Sequence, residues 1–347
     1  MNHFQKIFDQ EIMDLAVAAK SEIDLETISN SLPEIVEEFV GSIAPHTLQT
    51  VKNTSAKGLT ERRKMHDEFV LRNVTRWQEG IDLLELQIAL LVEAAQSLSD
   101  HDRPPSSEDQ ELLYGLIVRL HAKGCLIGSE ILSLIKNGYP DGAHARWRAL
   151  HEITVTAMFL SMQGETIAQR YIDHEFVEAY KGASSLKKYE ARLQAKGLSE
   201  EELEESRAQY DRVLERYGKE FSGSYGWATP FLSTSKPTFF SLEEAVKLDH
   251  WRPYYKWASQ NIHANVHTIR SSLGLCEAEE DILLVGSSNS GMTDPAHSTA
   301  ISLSQLASTL TINSTTNIDD LVMIKMIVLL AEEIGNAFLK CDSKTNY

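Results

Sequence analysis

Cysteine is scarce in this chain of 347 residues. Cys125, Cys276 and Cys341 lie far apart, and no C-x-x-C pair occurs. This spacing argues against a disulfide framework and a zinc knuckle, and it is typical of reduced thiols in a cytoplasm. The first residues lead into an amphipathic segment that lacks the apolar core of a secretory signal. We therefore predict a cytoplasmic protein.

Long apolar runs are also missing. A helix needs about 18 or more apolar residues to span a bilayer, and no segment reaches that length without interruption. The nearest candidate, residues 321–330, is short and contains Lys325. We therefore expect a core helix at this place and no membrane association.

Basic residues are outnumbered, with 33 Lys and Arg against 50 Asp and Glu and a net charge of −17. This balance argues against a broad nucleic-acid-binding face, which should be basic, but it leaves room for a small local basic site. Phosphate-binding loops, dinucleotide-binding turns and nucleophile elbows are absent from the sequence. We therefore expect no cofactor.

Apolar residues spaced three and four apart are abundant, which predicts an all-α fold built as a helical bundle. The Pro- and Ser-rich linker at 99–107 predicts a boundary between an N-terminal helical region, 1–100, and a bundle domain, 108–341. Dense Lys, Arg and Glu predict an inserted charged helical hairpin at 184–220, and residues 281–286 predict a short strand. The same spacing predicts helices at 24–51, 59–98, 143–162 and 251–273.

The helix at 143–162 carries polar residues on a segment suited to burial. At about 100° per residue, His144, Arg148, His151 and Glu152 share one stripe, while the back of the helix is apolar. Arg148 and Glu152 should be partly buried, where an unpaired polar group costs about 1–3 kcal/mol. Their i, i+4 spacing predicts an Arg–Glu pair. A structural polar network and a functional site both remain open.

A second polar stripe follows on the predicted helix at 251–273, where Ser259, His263 and His267 share one side with Lys256 and Arg270. His263 and His267 have the spacing of two metal ligands, but no Glu follows His263 as in H-E-x-x-H, and no third ligand is identified. We therefore assign no metal. Solvated histidines and an acid–base or ligand-contacting role both remain open.

Metal-free RNA cleavage of the HEPN type occurs in helical bundles marked by Arg, four to six residues, then His. Arg146 and His151 fit this spacing. The numbers of Arg and His in the chain predict about as many matches by chance as are found. The two residues also lie about 140° apart on an ideal helix and do not converge easily within it. The spacing alone is uninformative.

Four segments carry a resemblance: 138–148 together with Glu152, 169–174, 255–263 and 286–295. In combination they resemble the domain-of-unknown-function 5677 family of bacterial proteins, over roughly Leu113 to Leu339. The resemblance implies a helical domain and supplies no activity, because the family is uncharacterised. Some helical families of this kind are associated with phage-defence or toxin–antitoxin loci.

We therefore expect a phage-defence or toxin-type effector, or a ligand-responsive protein, with a polar pocket where the two helices meet. In the enzymatic version it is a metal-independent ribonuclease, in which His263 is the acid–base group, Arg148 stabilises phosphate charge and Glu152 orients one of them. The alternative is a non-catalytic helical interaction protein. Expected partners are an RNA or nucleotide ligand, a protein bound by the N-terminal helices or the 184–220 hairpin, or a second copy of the chain. The predicted site residues are Arg148, Glu152, Ser259, His263 and His267.

Overall fold

The computed structural model describes residues 3–18, 22–100, 110–263, 266, 271–315 and 317–343. Within these ranges the regular structure is helical and no strand occurs, which confirms the all-α prediction. Short 3₁₀ turns lie at Lys219–Ser222, Gly226–Phe231, Asp249–Trp251 and Leu273–Leu275. The α-helices of the described ranges are α1 (His3–Ala18), α2 (Glu22–Asn30), α3 (Leu32–Arg76), α4 (Gln78–Asp100), α5 (Glu111–Lys136), α6 (Pro140–Gln163), α7 (Glu165–Asp173), α8 (Glu175–Leu193), α9 (Glu200–Tyr217), α10 (Phe239–Ala245), α11 (Arg252–Gln260), α12 (Thr293–Ile312) and α13 (Ile318–Ser343).

The chain divides into two compact units, Met1–Phe69 and Val70–Tyr347. In the first unit, α1 has no buried residue, and its Phe8 packs edge-on against Phe39 of α3 with ring centroids 5.1 Å apart. Sequence periodicity predicted a break between 51 and 59, but α3 continues through it. The predicted linker lies mostly outside the described ranges, so the domains 1–100 and 108–341 stay predictions.

One core of the second unit is formed where α4, α5, α6, α12 and α13 pack together. Trp147 of α6 is fully buried there, and its Nε1 donates to the carbonyl of Ser298 and to Oγ of Ser302, both at 3.0 Å. Helices α5 and α12 approach closely at Gly124, where an added Cβ would lie 2.2 Å from Cδ2 of Leu306. These contacts fix the rotation of α6 and so determine which of its residues face outward.

A second core joins the other side of α6 to α7, α10, α11 and the 3₁₀ turns. Its aromatic members include Phe159, Phe221, Trp227 and Phe239. Arg170 reaches across this core and donates to the carbonyl of Trp227 at 2.9 Å. The predicted charged hairpin is present as α8 and α9, which pack together and begin earlier than expected. A capping box between Ser199 and Glu202 starts α9.

Two local predictions were wrong. Residues 281–286 form no strand, and Leu283 and Val285 are 90% and 94% exposed, because no described segment pairs with them. The helix expected over 251–273 is shorter, since α11 ends at Gln260. The amides of Asn261 and Ile262 bond to carbonyls three residues back, which tightens the last turn.

By length and composition alone, one described helix, α5, could cross a membrane. The criterion is weak evidence, because the core helix of a globular protein meets it as well. Here α5 packs against α4, α6 and α12, and Ile117, Ile127 and Ile131 are among its fully buried residues. These contacts explain the apolar character of α5.

Candidate functional site

The predicted Arg148–Glu152 pair is present on α6. Nε of Arg148 donates to Oε1 of Glu152 at 3.0 Å, and the two side chains are 26% and 35% exposed. The same carboxylate oxygen accepts a hydrogen bond from the hydroxyl of Tyr255 on α11 at 2.5 Å. A carboxylate with two donors on one oxygen holds both donors in place. Glu152 therefore fixes the positions of Arg148 and Tyr255.

A second carboxylate lies deeper, on α10. Glu243 is fully buried, and its Oε1 lies 3.0 Å from Nε2 of His151, which is 1% exposed. Its Oε2 accepts from Nη1 of Arg252 at 2.6 Å, and the Arg252 side chain is 27% exposed. A buried charge is tolerated when it is paired and hydrogen-bonded, which both oxygens of Glu243 are. Glu243 thus links the buried His151 to the partly exposed Arg252, and we call these three residues the buried relay.

Tyr255 joins the two carboxylate networks. The guanidinium carbons of Arg148 and Arg252 each lie 4.9 Å from the centroid of the Tyr255 ring. The two guanidiniums are therefore no further apart than twice that distance. We call the four residues Arg148, Glu152, Arg252 and Tyr255 the arginine–tyrosine cluster.

The tyrosines of this region stay protonated at neutral pH. Burial, followed by the hydrogen bond to Glu152, raises the pKa of Tyr255 well above its ordinary value. Burial and the nearby charge of Glu152 also raise the pKa of Tyr225 to about 12. Both hydroxyls therefore keep their protons near pH 7, and that of Tyr255 donates its proton in the hydrogen bond to Glu152.

Of the other predicted site residues, Ser259 and His263 are not hydrogen-bonded to this cluster's Arg148 or Glu152. Ser259 is half-buried and donates back to the carbonyl of Tyr255 at 2.7 Å. His263 is exposed in a turn beyond the end of α11, and His267 lies outside the described residues. Among the hydrogen bonds of the described residues, none joins Ser259 or His263 to Arg148 or Glu152. A catalytic role for these residues stays a prediction.

The contacts of α11 with α6 explain this placement. Tyr255 meets Glu152, whereas Trp257 meets His144, with ring centroids 5.1 Å apart. As α11 advances, its contacts therefore step back toward the first residues of α6.

Arg146 and His151, the pair with ribonuclease spacing, point to different neighbours. Arg146 forms an ion pair with Glu130 of α5. His151 is buried against Glu243 of α10. The two side chains therefore bind different carboxylates, as expected from their angular separation on an ideal helix.

Two cavities lie beside α11. One, of about 300 Å³, is lined by Trp257, Cys276 and Asp294 among others, and one of about 910 Å³ is lined by Asp141, Asn261 and the segment 281–286. Neither is lined by Arg148, Glu152 or Ser259. The arginine–tyrosine cluster thus lies apart from both cavities.

Sequence reasoning missed Tyr255 and Arg252 as members of the cluster, and Glu243 as the partner of Arg252. Tyr255 lies beside the Ser259–His263 stripe, and Glu243 follows Leu242 in a short segment that looks like a solvated helix. Only the docking of α10 and α11 on α6 reveals their roles. The available signal was the charge of Arg252 two residues before the Tyr254-Tyr255 pair, which is weak by itself.

No group of three or more His, Cys, Asp or Glu side chains suited to a metal ion occurs among the residues that the structure describes. His121 and Cys125 form one close pair, with Sγ 3.8 Å from Nδ1. Burial lowers the pKa of His121 to about 4 and raises the pKa of Cys125 to about 11. A neutral thiol is a poor nucleophile, so this pair is a packing contact.

Comparison with known proteins gives one match. Residues 114–281 match the sequence model of a family described as "Family of unknown function (DUF5677)". The match begins at 114, close to the expected start of the resemblance at Leu113. It ends at 281, so the segment 286–295 contributes nothing to the match. None of the curated proteins and none of the solved structures matches the chain. All residues of the arginine–tyrosine cluster lie inside the matched segment. Residues 114–281, just under half of the 347-residue chain, are therefore similar to the family of unknown function DUF5677.

Proposed function

We propose that the domain binds a nucleotide-sized phosphorylated ligand at the arginine–tyrosine cluster. The supporting observation is the placement of two partly exposed guanidiniums around one tyrosine ring, each held by its own carboxylate. A guanidinium has five N–H donors and matches the geometry of phosphate oxygens. Arg148 uses Nε for Glu152 and Arg252 uses one terminal nitrogen for Glu243, so each keeps donors for a further anion.

An aromatic surface beside the arginines favours a nucleotide over a bare phosphate. Phe240 is 37% exposed, and its ring centroid lies 5.3 Å from the guanidinium carbon of Arg252. Aromatic faces and guanidinium planes are the surfaces on which nucleic-acid bases stack. The net charge of −17 favours a small ligand over a long RNA, which needs a broad basic face.

Binding is better supported than cleavage. The tyrosines are held protonated, and His151 is buried and paired with Glu243. Cleavage would need a proton-transfer group within hydrogen-bond reach of the substrate. His263 lies beyond α11 and forms no hydrogen bond with Arg148 or Glu152. We therefore propose a ligand-responsive role, in the cytoplasm and in a defence system, and treat ribonuclease activity as an outcome to be tested.

Calorimetric titration of the full chain with ATP and with pyrophosphate tests this proposal. We expect ATP to bind, and we expect Arg148→Ala to weaken it at least about tenfold, since hydrogen bonds between charged groups contribute about 1.5–3 kcal/mol each. Phe240→Ala should weaken the binding of ATP more than the binding of pyrophosphate. The control is Arg146→Ala, two residues away on α6, whose partner is Glu130 on α5. Unchanged ATP binding in Arg148→Ala, or no binding by the unaltered chain, would refute the proposal.

A parallel incubation with total RNA decides between binding and cleavage. Cleavage that disappears in both Arg148→Ala and His263→Ala would replace the binding role by the ribonuclease role. Absence of cleavage, together with ATP binding, would support the ligand-responsive role. The unaltered chain and the Arg146→Ala variant serve as references in both experiments.

A further inference from the structure

Helix α3 is exposed along most of its length and carries several exposed apolar residues. Its one buried residue is Asn73, whereas Leu48, Val51 and Met65 are 54%, 56% and 68% exposed. A helix of 45 residues is about 67 Å long, and most of the stability of such a helix comes from packing of an apolar face.

Eight residues of α3 have heptad spacing, and the apolar ones, Ala44, Leu48 and Val51, lie at the centre of the series. Alternating steps of four and three residues give the spacing of the seam along which two helices of a coiled coil meet. Several positions are small, and a Cβ added at Gly41 or Gly58 would meet no atom within 4 Å. The positions, which we call the α3 seam, are Glu37, Gly41, Ala44, Leu48, Val51, Ser55, Gly58 and Arg62.

The α3 seam is symmetric about the point midway between Gln49 and Thr50. At equal distances on the two sides, apolar matches apolar, small matches small, and acidic matches basic. Two copies of a helix that run in opposite directions place such symmetric positions opposite each other. The matching pairs are Leu48 with Val51, Ala44 with Ser55, Gly41 with Gly58, and Glu37 with Arg62.

Charge along α3 has the same arrangement. From Leu32 to Thr50 the charged residues other than His are acidic: Glu34, Glu37 and Glu38. From Val51 to His66 the basic residues prevail, and Glu61 is the exception. Parallel pairing would set like charges against each other, whereas antiparallel pairing sets acidic against basic. Complementary charge across an interface fixes its register and orientation.

We propose that two copies of this chain dimerise through antiparallel pairing of α3. Glu37 of each copy faces Arg62 of the other, and Leu48 faces Val51. The proposal is independent of nucleotide binding, because it uses residues of the first compact unit and the arginine–tyrosine cluster lies in the second. It gives the predicted protein partner of the N-terminal helices a definite identity, a second copy of the chain.

Sedimentation equilibrium of the full chain tests the dimer. We expect a dimer at micromolar concentration and a monomer for Leu48→Glu/Val51→Glu, which sets four carboxylates into the apolar centre of the seam. The matched control is Met13→Glu/Val17→Glu on α1, where both side chains are exposed and lie off the seam. A monomeric unaltered chain would overturn the proposal, as would a dimer that survives the Leu48→Glu/Val51→Glu change.

A charge exchange tests the direction of pairing. Recovery of the dimer in the double variant separates lost pairing from lost folding in the single variants. Glu37→Arg or Arg62→Glu alone creates two like-charge contacts and should weaken dimerisation at least about tenfold. The double variant Glu37→Arg/Arg62→Glu restores both contacts and should recover the dimer. Antiparallel pairing would be overturned if the single variants dimerised as tightly as the unaltered chain, or if the double variant dimerised more weakly than either single variant.

Discussion

Removing the carboxylate of Glu243 should destabilise the second compact unit strongly. Glu243 is fully buried, and both of its oxygens are used, one by His151 at 3.0 Å and one by Arg252 at 2.6 Å. Glu243→Ala leaves the Arg252 guanidinium without its counter-charge and leaves the buried His151 nitrogen without a partner. The change acts where α10 is fastened to α6 and α11.

The magnitude follows from the pairing. Removing one member of a buried ion pair typically costs about 3–5 kcal/mol, because the remaining charge stays desolvated. Arg252 is 27% exposed and regains some water, so we expect the lower part of that range. Glu243→Gln keeps the shape and one acceptor, so its cost should be about 1–3 kcal/mol.

Urea unfolding of the full chain, followed by circular dichroism, measures both costs. The control is Glu244→Ala, because Glu244 is the next residue on α10 and is exposed. We expect Glu244→Ala to change the free energy of unfolding by less than about 0.5 kcal/mol. A Glu243→Ala protein as stable as Glu244→Ala would refute the argument that the buried relay fastens α10.

Two further predictions concern packing and pH. Gly124→Ala should destabilise the folded chain, because the added Cβ would lie 2.2 Å from the fully buried Leu306. Overpacking costs about 1–3 kcal/mol, which exceeds the gain in helix propensity from replacing glycine by alanine. The control Gly182→Ala, where the added Cβ has no neighbour within 4 Å, should stabilise by about 0.5–1 kcal/mol in the same unfolding assay. Burial lowers the pKa of His144 from 6.5 to about 4, so the unfolded chain takes up the proton first and stability falls as the pH drops from 6.5 toward 4. His144→Phe should flatten this fall in melting temperature, whereas His250→Phe, at an exposed position, should leave it unchanged.

The sequence predicted the part of the site that depends on a single helix. The i, i+4 spacing of Arg148 and Glu152 and the apolar back of α6 were enough to predict a partly exposed pair, and that pair is present. The third member, Tyr255, lies 103 residues further along the chain than Glu152. A contact over that separation depends on how α11 docks on α6, which helical periodicity does not encode.

Errors occurred where a local pattern was extended beyond its support. The apolar run 282–285 fits a strand, but a strand needs a partner, and these residues are exposed. Ser259 and His263 share a stripe only if the helix continues, and α11 ends at Gln260. Conversely, the predicted helices 24–51 and 59–98 left a gap, yet α3 continues through it, and a single glycine such as Gly58 costs a helix only about 1 kcal/mol relative to alanine.

Exposure separates the structural part of the arginine–tyrosine region from the part available to a ligand. Glu243 and His151 are 0% and 1% exposed, so their hydrogen bonds are complete inside the fold. Arg148 and Arg252 are 26% and 27% exposed, and each is held in place by a carboxylate, that of Glu152 and that of Glu243. Substitutions of the inner pair should therefore change stability first, and substitution of Arg148 should change binding at nearly constant stability. An Arg148→Ala protein that lost as much stability as Glu243→Ala would mean that both arginines belong to the scaffold, and the ligand site would have to be sought elsewhere.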